Sequence, residues 1–242
     1  MKVKPYEKLS LVYNGLMKNV DYTKWSKYIL EIAGEYVDDG ARILELAAGN
    51  CKMADIITRR YKNFIGTDIS LSMLKTAKNN KLRKICCDMT ELPLKIKFDF
   101  IFSAFDSVNY ILKQKTLFRL FKEVYLILKD NGIFTFDVSL ENNSLNFLVE
   151  KMTDDYYTSF SFTRTNKYNK RNRIHYNSFI ITHDSGSEIK EVHKQKIYDI
   201  RTYFKLAEEA GLSTEACYDC FTFNDVNRES ERAQFVMRKA NQ

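Results

Sequence analysis

Short apolar runs in this chain repeatedly stop at a carboxylate. Arg42-Ile43-Leu44-Glu45-Leu46 carries Glu45 and runs into Ala47-Ala48-Gly49-Asn50-Cys51, while Phe64-Ile65-Gly66-Thr67 ends at Asp68. Lys84-Ile85-Cys86-Cys87 ends at Asp88-Met89, and Phe98-Asp99-Phe100-Ile101-Phe102-Ser103-Ala104-Phe105 ends at Asp106-Ser107-Val108-Asn109-Tyr110. Small residues between a buried strand and a helix start let a ligand approach the backbone and meet unpaired N–H groups. Gly49 permits that approach. Ala47 and Cys51 stand where a dinucleotide turn would carry further glycines, so a pyrophosphate is disfavoured and a nucleoside ligand without phosphates is still admitted. Asp68 follows at about the 20-residue interval at which a carboxylate can accept from the two hydroxyls of a ribose.

These strings resemble the motifs of the class I S-adenosylmethionine-dependent methyltransferases. Ile43 to Cys51 is similar to the first motif of that family, an acidic residue followed by a glycine-rich turn, with two of the three glycines replaced. The resemblance implies S-adenosylmethionine as the cofactor, in a site lined by Glu45, Ala47, Gly49, Ile69, Met73, Ala104 and Phe105. It also implies that Asp68 holds the adenosine ribose, that Asp88 or its neighbouring backbone contacts the adenine amino group, and that Met89 covers the ring. Phe105 to Tyr110 resembles a segment of a bacterial small-molecule subset, in which the end of the fourth strand faces both the sulfonium and the incoming substrate. Asp106, Ser107 and Asn109 are thereby expected to orient the acceptor. The related nucleotide-amino-sugar N-methyltransferases carry a catalytic histidine where this chain has Tyr110, which leaves Tyr110, His193 or solvent as the base. Tyr13 to Trp25 resembles the N-terminal lid of the same subset and of glycine N-methyltransferase. Tyr13 and Trp25 would then hold the methionyl end, with a cation–π contact worth up to ~2 kcal/mol, although helix packing is the other role open to each ring.

The elements that must position these residues follow from periodicity. Lys2 to Gly15 and Asp21 to Tyr36 read as N-terminal helices, the second with Tyr22, Trp25, Tyr28, Ile29 and Ile32 at helical spacing. Ser70 reads as the N-cap of a helix from Leu71 to Asn80, and Lys115 to Leu128 as a further helix before a strand from Ile133 to Val138. Strands alternating with helices imply a parallel sheet. With the resemblance, this becomes an α/β fold: the Rossmann-like seven-stranded methyltransferase sheet with helices on both faces. From Asp155 the pattern changes to aromatic and β-branched runs, Tyr156 to Thr163, Ile174 to His183 and Ile189 to Tyr198, separated by turns at Asn166 to Asn172 and Asp184 to Ser187. An antiparallel meander is the natural reading. The helix Arg201 to Ala210, stopped by Gly211, and strands near Ser213 to Phe223 and Glu231 to Arg238 resume the first pattern. Residues 152–198 are therefore expected to be an inserted β-meander, and the resemblance implies that it roofs the substrate cleft while residues 1–151 and 199–242 form the cofactor-binding domain with a helical lid. On its last strand, alternation places His193 with Gln195 and Ile197, away from Val192, Lys194, Lys196 and Tyr198; His175 and His183 are assigned to the meander surface.

Composition bounds the rest. A chain of 242 residues that is 45% apolar can bury one sizeable core with a small addition. The absence of an uncharged apolar run of about 18 residues, and of an apolar region after Met1-Lys2-Val3-Lys4-Pro5, points to a soluble cytoplasmic protein without a membrane partner. Five cysteines, two of them adjacent, argue against a disulfide framework, and Cys217-x-x-Cys220 lacks the second pair that a zinc site needs, so no metal is expected. The net charge of +7 and the string Arg164 to Arg173 invite a nucleic-acid reading, yet such a run is usually a solvated turn, and an anionic small substrate would use the same field. The expected activity is S-adenosylmethionine-dependent methyl transfer to nitrogen or oxygen of a small molecule, anionic ones included, by a monomer or homodimer. RNA or other nucleic-acid methylation, and noncatalytic binding of the cofactor, are the alternatives.

Overall fold

The computed structural model describes residues 6–147, 152–155 and 159–240. In chain order the elements are α1 (Tyr13–Leu16), α2 (Tyr22–Tyr36), β1 (Arg42–Leu46), α3 (Ala54–Ile57), β2 (Asn63–Asp68), α4 (Leu71–Lys75), β3 (Arg83–Cys86), β4 (Phe98–Ser103), α5 (Gln114–Ile127) and β5 (Leu128–Ser139). Then α6 (Glu141–Asn146) leads to β6 (Met152–Asp155), β7 (Phe160–Asn169), β8 (Ile174–His183) and β9 (Glu188–Lys196), before α7 (Ile200–Glu209), β10 (Leu212–Asp219) and β11 (Arg232–Lys239).

Seven strands form one sheet in the order β3-β2-β1-β4-β5-β11-β10. The strands β1 to β5 run parallel to their neighbours, and β11 is antiparallel to both β5 and β10. Chain order reverses between β1 and β4, and ligands of such sheets bind beyond the carboxyl ends of the strands at that point. The strands are apolar on both faces because both are covered. Leu44, Leu46, Ile101, Phe134 and Phe136 pack on Leu117, Leu120 and Phe121 of α5 and Tyr203 of α7, while Ile43, Phe64, Phe100 and Phe102 pack on Trp25, Tyr28, Ile29 and Ile32 of α2. Each such side chain contributes about 1.5–3 kcal/mol when removed from water.

The second sheet is an antiparallel meander in the order β6-β7-β8-β9. Its apolar inner residues Phe162, Phe179 and Ile181 pack with Leu9 and Val12 of the N-terminal segment. The two sheets are joined at Asn109, whose amide donates to the Ser139 and Lys196 carbonyls at 3.2 and 3.0 Å and accepts from the Ser139 N–H at 2.9 Å.

Local chemistry sets the start of two helices. Asp21 caps α2 by accepting from Lys24 N–H, and Ser70 caps α4 by accepting from Met73 N–H. Several expectations need correction. Lys2 to Gly15 is not one helix: its described part holds a 3-10 turn at Leu9–Leu11 and the single turn α1, and residues 2–5 lie outside the described residues. The helix expected to reach Asn80 stops at Lys75, and the strand expected to reach Phe105 stops at Ser103, because Phe105 and Asp106 adopt φ of 60° and 48°. The expected meander turn at Asn166 moves to residues 170–173, with β7 running on to Asn169. Residues 156–158, the start of the expected first meander strand, lie outside the described residues. Among the described residues no helix is long and apolar enough to cross a membrane.

Candidate active site

The carboxyl ends of β1 and β2 build a cradle from backbone geometry. Ala47, Gly49 and Cys51 all adopt left-handed φ, of 54°, 56° and 56°, which turns the chain sharply between β1 and α3. A side chain at Gly49 would suffer that backbone and would meet the Met73 methyl at 3.3 Å. Asp68 braces the turn: its carboxylate accepts from Gly49 N–H at 2.8 Å and Ser70 N–H at 2.7 Å. Burial raises the Asp68 pKa, and these two N–H groups offset part of that rise. Glu45 is buried beside it, and its Oε2 has no hydrogen-bond partner. Its pKa is raised well above the usual carboxylate value by burial and by Asp68. An orphaned buried carboxylate oxygen calls for a donor or a cation from a ligand.

Further along the same edge, Asp88 closes a tight turn by accepting from the N–H and hydroxyl of Thr90, both at 2.8 Å, and Met89 packs half-buried against the core. Ala104 is buried, whereas Ile69 is exposed. Trp25 departs from its expected place. Its ring lies 4.5 Å from both Phe105 and Phe221, with the Arg232 guanidinium 5.5 Å above it, so it props the loop after β4 from behind and is not free to face a ligand. Tyr13 instead packs edge-on to Tyr6, at 5.9 Å.

The loop after β4 is anchored by a charged cluster. Asp106 accepts from Ser139 Oγ at 2.7 Å and Arg232 Nη2 at 3.2 Å, its N–H donates to Asp137 Oδ2 at 2.9 Å, and Arg232 Nη1 donates to the same Asp137 oxygen. Burial pushes the fully enclosed Asp137 up to about 6, against the pull of Arg232. Ser107 donates to the Ala104 carbonyl at 2.8 Å. Asn109 needs correction as an acceptor-orienting residue: it is wholly buried with its amide committed to backbone, so it fixes the loop and cannot also reach an acceptor.

Where this loop meets the meander, four side chains form one hydrogen-bonded row. Tyr6 Oη lies 2.6 Å from Tyr110 Oη, which lies 3.1 Å from His193 Nδ1, and His193 Nε2 lies 2.7 Å from Glu191 Oε1. The carboxylate fixes the direction of the row. Glu191 is an acceptor, so Nε2 carries the ring hydrogen, Nδ1 offers its lone pair to the Tyr110 hydroxyl, and Tyr110 accepts in turn from Tyr6. Burial opposes ionisation of Glu191, but His193 and the N–H groups of Leu9 and Tyr6 outweigh it and hold its pKa below the usual value. Burial raises both tyrosine hydroxyls above their ordinary range, so neither is a phenolate near neutrality. With both hydroxyls protonated, the Nδ1 lone pair of His193 is the acceptor at the end of the row.

The inner face of the meander continues the site with polar groups. Arg164 donates through Nε and Nη2 to Asn177 Oδ1 at 3.2 and 2.7 Å, and Asn177 donates to Gln195 Oε1 at 3.3 Å. Burial lowers the pKa of Arg164. His175 also needs correction: it is buried, bonded to Ser144 Oγ at 3.1 Å, and not on the surface, whereas His183 ends β8 half-buried and bonded to Ser185. The basic string is dispersed: Arg164 points inward, Arg173 pairs with Glu141, and Lys167, Lys170 and Arg171 are exposed.

Glu191, Tyr6, Asp137 and Arg232 escaped the sequence reading, and Arg164 entered it only as part of a basic string. Glu191 was recoverable, since it lies two residues before His193 and strand alternation puts both on one face. Asp137 and Arg232 had no local signal, because each is defined by a cross-strand neighbour.

A family model described as a methyltransferase domain matches residues 43–132. A "putative methyltransferase" of Geobacillus sp. (strain WCH70) is 26% identical over 97% of this chain and 99% of its own. The crystal structure of an S-adenosylmethionine-dependent methyltransferase from Clostridium acetobutylicum ATCC 824 aligns with a TM-score of 0.81 at 26% identity, covering 98% of this chain and 100% of that one. The sugar N-methyltransferase of Streptoalloteichus sp ATCC 53650 has the same fold, with a TM-score of 0.76 at 17% identity over 96% of this chain and 93% of its own.

Proposed function

Because this chain is a class I S-adenosylmethionine-dependent methyltransferase, what it leaves open is the acceptor, and we propose a small polar molecule that presents a nitrogen or oxygen nucleophile and carries an anionic group. The observation that carries this reading is the row Tyr6–Tyr110–His193–Glu191, which delivers a basic lone pair to the junction between the cradle and the meander.

The cradle suits the cofactor. The unpartnered oxygen of Glu45 fits an ammonium group, the left-handed turn at Gly49 leaves room beside the main chain, and Asp68 keeps lone pairs available to ribose hydroxyls beyond its two backbone bonds. When bound, the cofactor supplies a methyl group activated by a positively charged sulfur. The residues of this chain align the acceptor and manage its proton. A protonated amine or a neutral hydroxyl is a poor nucleophile, so the proton passes through Tyr110, with Tyr6 as its outer donor, to His193 Nδ1. Glu191 stabilises the imidazolium that results. Arg164, held flat by Asn177, supplies positive charge to an anionic acceptor. Alignment of two bound reactants is worth ~7–11 kcal/mol of barrier, and the enclosing aromatic residues remove water from the path.

The test is a screen that follows S-adenosylhomocysteine formation over amines, amino sugars, carboxylates and sugar nucleotides, with a single- and double-stranded RNA arm. Turnover of an anionic small molecule, lost in Arg164→Gln, is expected. Turnover of RNA alone, or of neutral molecules with no dependence on Arg164, would contradict the reading.

A further inference from the structure

Glu191 does two things at once. Its Oε1 accepts from His193 Nε2 and from Tyr6 N–H, and its Oε2 accepts from Lys8 N–H at 3.2 Å and Leu9 N–H at 3.0 Å. The first bond orients the ring. The others hold the N-terminal segment against the meander, and for the buried Leu9 the carboxylate replaces a backbone acceptor.

The segment so held touches the row, the meander and the edge of the cradle. Tyr6, in a left-handed conformation with φ of 62°, sends its hydroxyl to Tyr110, places its ring edge-on to His193 at 4.5 Å, and accepts through its carbonyl from Ser70 Oγ, next to Asp68, at 3.3 Å. Leu9 and Val12 seat it on Phe162, Phe179 and Ile181. Release of the segment would leave Glu191 with His193 alone in a wetter cleft. Loss of the Glu191 carboxylate would leave buried N–H groups unpaired and free the imidazole to exchange tautomers.

We propose that Glu191 is a positioning residue that couples docking of residues 6–12 to the orientation and tautomer of His193, so that the base is set only when the segment closes over the cleft. Its catalytic meaning rests on His193 being the base, as proposed above; the coupling itself is a property of the ligand-free chain. Coupling between two sites is reciprocal: whatever the docked segment does for the ring, the ring's bond to the shared carboxylate does for the segment.

The experiment uses the full chain, reading the ring nitrogens of His193 and the amide hydrogen exchange of Lys8 and Leu9 by NMR. The wild type should show a single tautomer with hydrogen on Nε2 and protected Lys8 and Leu9 amides. In Glu191→Gln the exchange of both amides should rise about tenfold or more, as a charge-assisted bond to each is lost, and the second ring tautomer should appear. Leu9→Ala/Val12→Ala, which removes only the apolar side chains that seat the segment and leaves the Leu9 N–H and the side chains of Glu191 and His193 in place, should also mix the tautomers. The amide of Phe134 in the core of β5 serves as the control for global folding, and the double variant carries the test if Glu191→Gln does not fold. A double variant with fast-exchanging segment amides but the wild-type tautomer, or a Glu191→Gln variant with undiminished protection, overturns the coupling. If instead His193→Gln leaves the pH–rate profile unchanged while the coupling holds, the base assignment fails and this inference survives as structure.

Discussion

Tyr110 Oη and His193 Nδ1 meet at 3.1 Å although 83 positions separate them in the chain. Tyr110 is delivered by the turn after β4 and His193 by the last strand of the meander, so the contact exists only when the insertion sits over the carboxyl edge of the sheet. Replacement of His193 by Gln should lower kcat by about 10²–10⁴-fold and remove the fall in rate on the acid side, because the proton acceptor is gone. Tyr110→Phe should lower kcat less and keep the acid-side fall, since water can bridge to Nδ1. The pH dependence of S-adenosylhomocysteine release by each variant separates these outcomes.

Asp68, the proposed ribose ligand, also braces the cradle. Its two oxygens hold the Gly49 and Ser70 N–H groups, so Asp68→Ala would remove the proposed contact and loosen the turn that shapes the cradle. Affinity for S-adenosylhomocysteine, measured by calorimetry, should fall by about 1–3 kcal/mol. An unchanged affinity would remove Asp68 from the cofactor site.

Gly49 tests the same cradle from the backbone side. Gly49→Val places a β-branched residue at φ of 56° with the Met73 methyl 3.3 Å from its Cβ. The strain should cost about 1–3 kcal/mol of stability, seen as a lower midpoint in urea, with loss of calorimetric cofactor binding.

The sheet and its carboxyl edge were legible because they are local: β1 carries Glu45 next to its end, β2 ends in Asp68, the turn just past β4 carries Asp106, and Ser70 caps its helix by a contact three residues away. The N-terminal segment was misread as a long helix because its order comes from Glu191, 185 positions away from Tyr6. Trp25 shows the same difficulty in another form. Its helical spacing gave its face correctly, yet only the fold shows that Phe105, Phe221 and Arg232 already cover the ring. The buried polar partners Asn109 and Asp137 look, in sequence, like any loop or strand residue, since their role is set by strands that meet late in the chain.

Arg232 is the counter-charge to two carboxylates, Asp106 and Asp137. Arg232→Met should destabilise the chain by about 3–5 kcal/mol, because it strands buried negative charge. Adding Asp137→Asn should return part of that loss, as the neutral amide no longer needs a cation. Denaturant unfolding of the single and double variants gives the coupling directly.

Glu191 and Asp137 should respond to acid in opposite senses. Asp137 has a folded pKa raised to about 6 by burial, so its contribution to stability is fully present below its unfolded value of about 3.9 and is lost as the pH rises through the folded one. Glu191 has a folded pKa lowered by His193 and the segment N–H groups acting against burial. Its contribution is present above the unfolded value of about 4.3 and is lost as the pH falls through the folded one. Between pH 6 and pH 4, therefore, the cluster under the β4 loop should tighten while the N-terminal segment stays docked, and further acidification should release the segment while the cluster is still protonated and compact. Hydrogen exchange referred to intrinsic rates should show protection at Leu9 collapsing at a higher pH than protection at Phe134 in β5. Glu191→Ala should abolish that early step, since the carboxylate that senses the pH is gone. Simultaneous loss of protection at both positions in the wild type would show that the segment is not held by Glu191 at all.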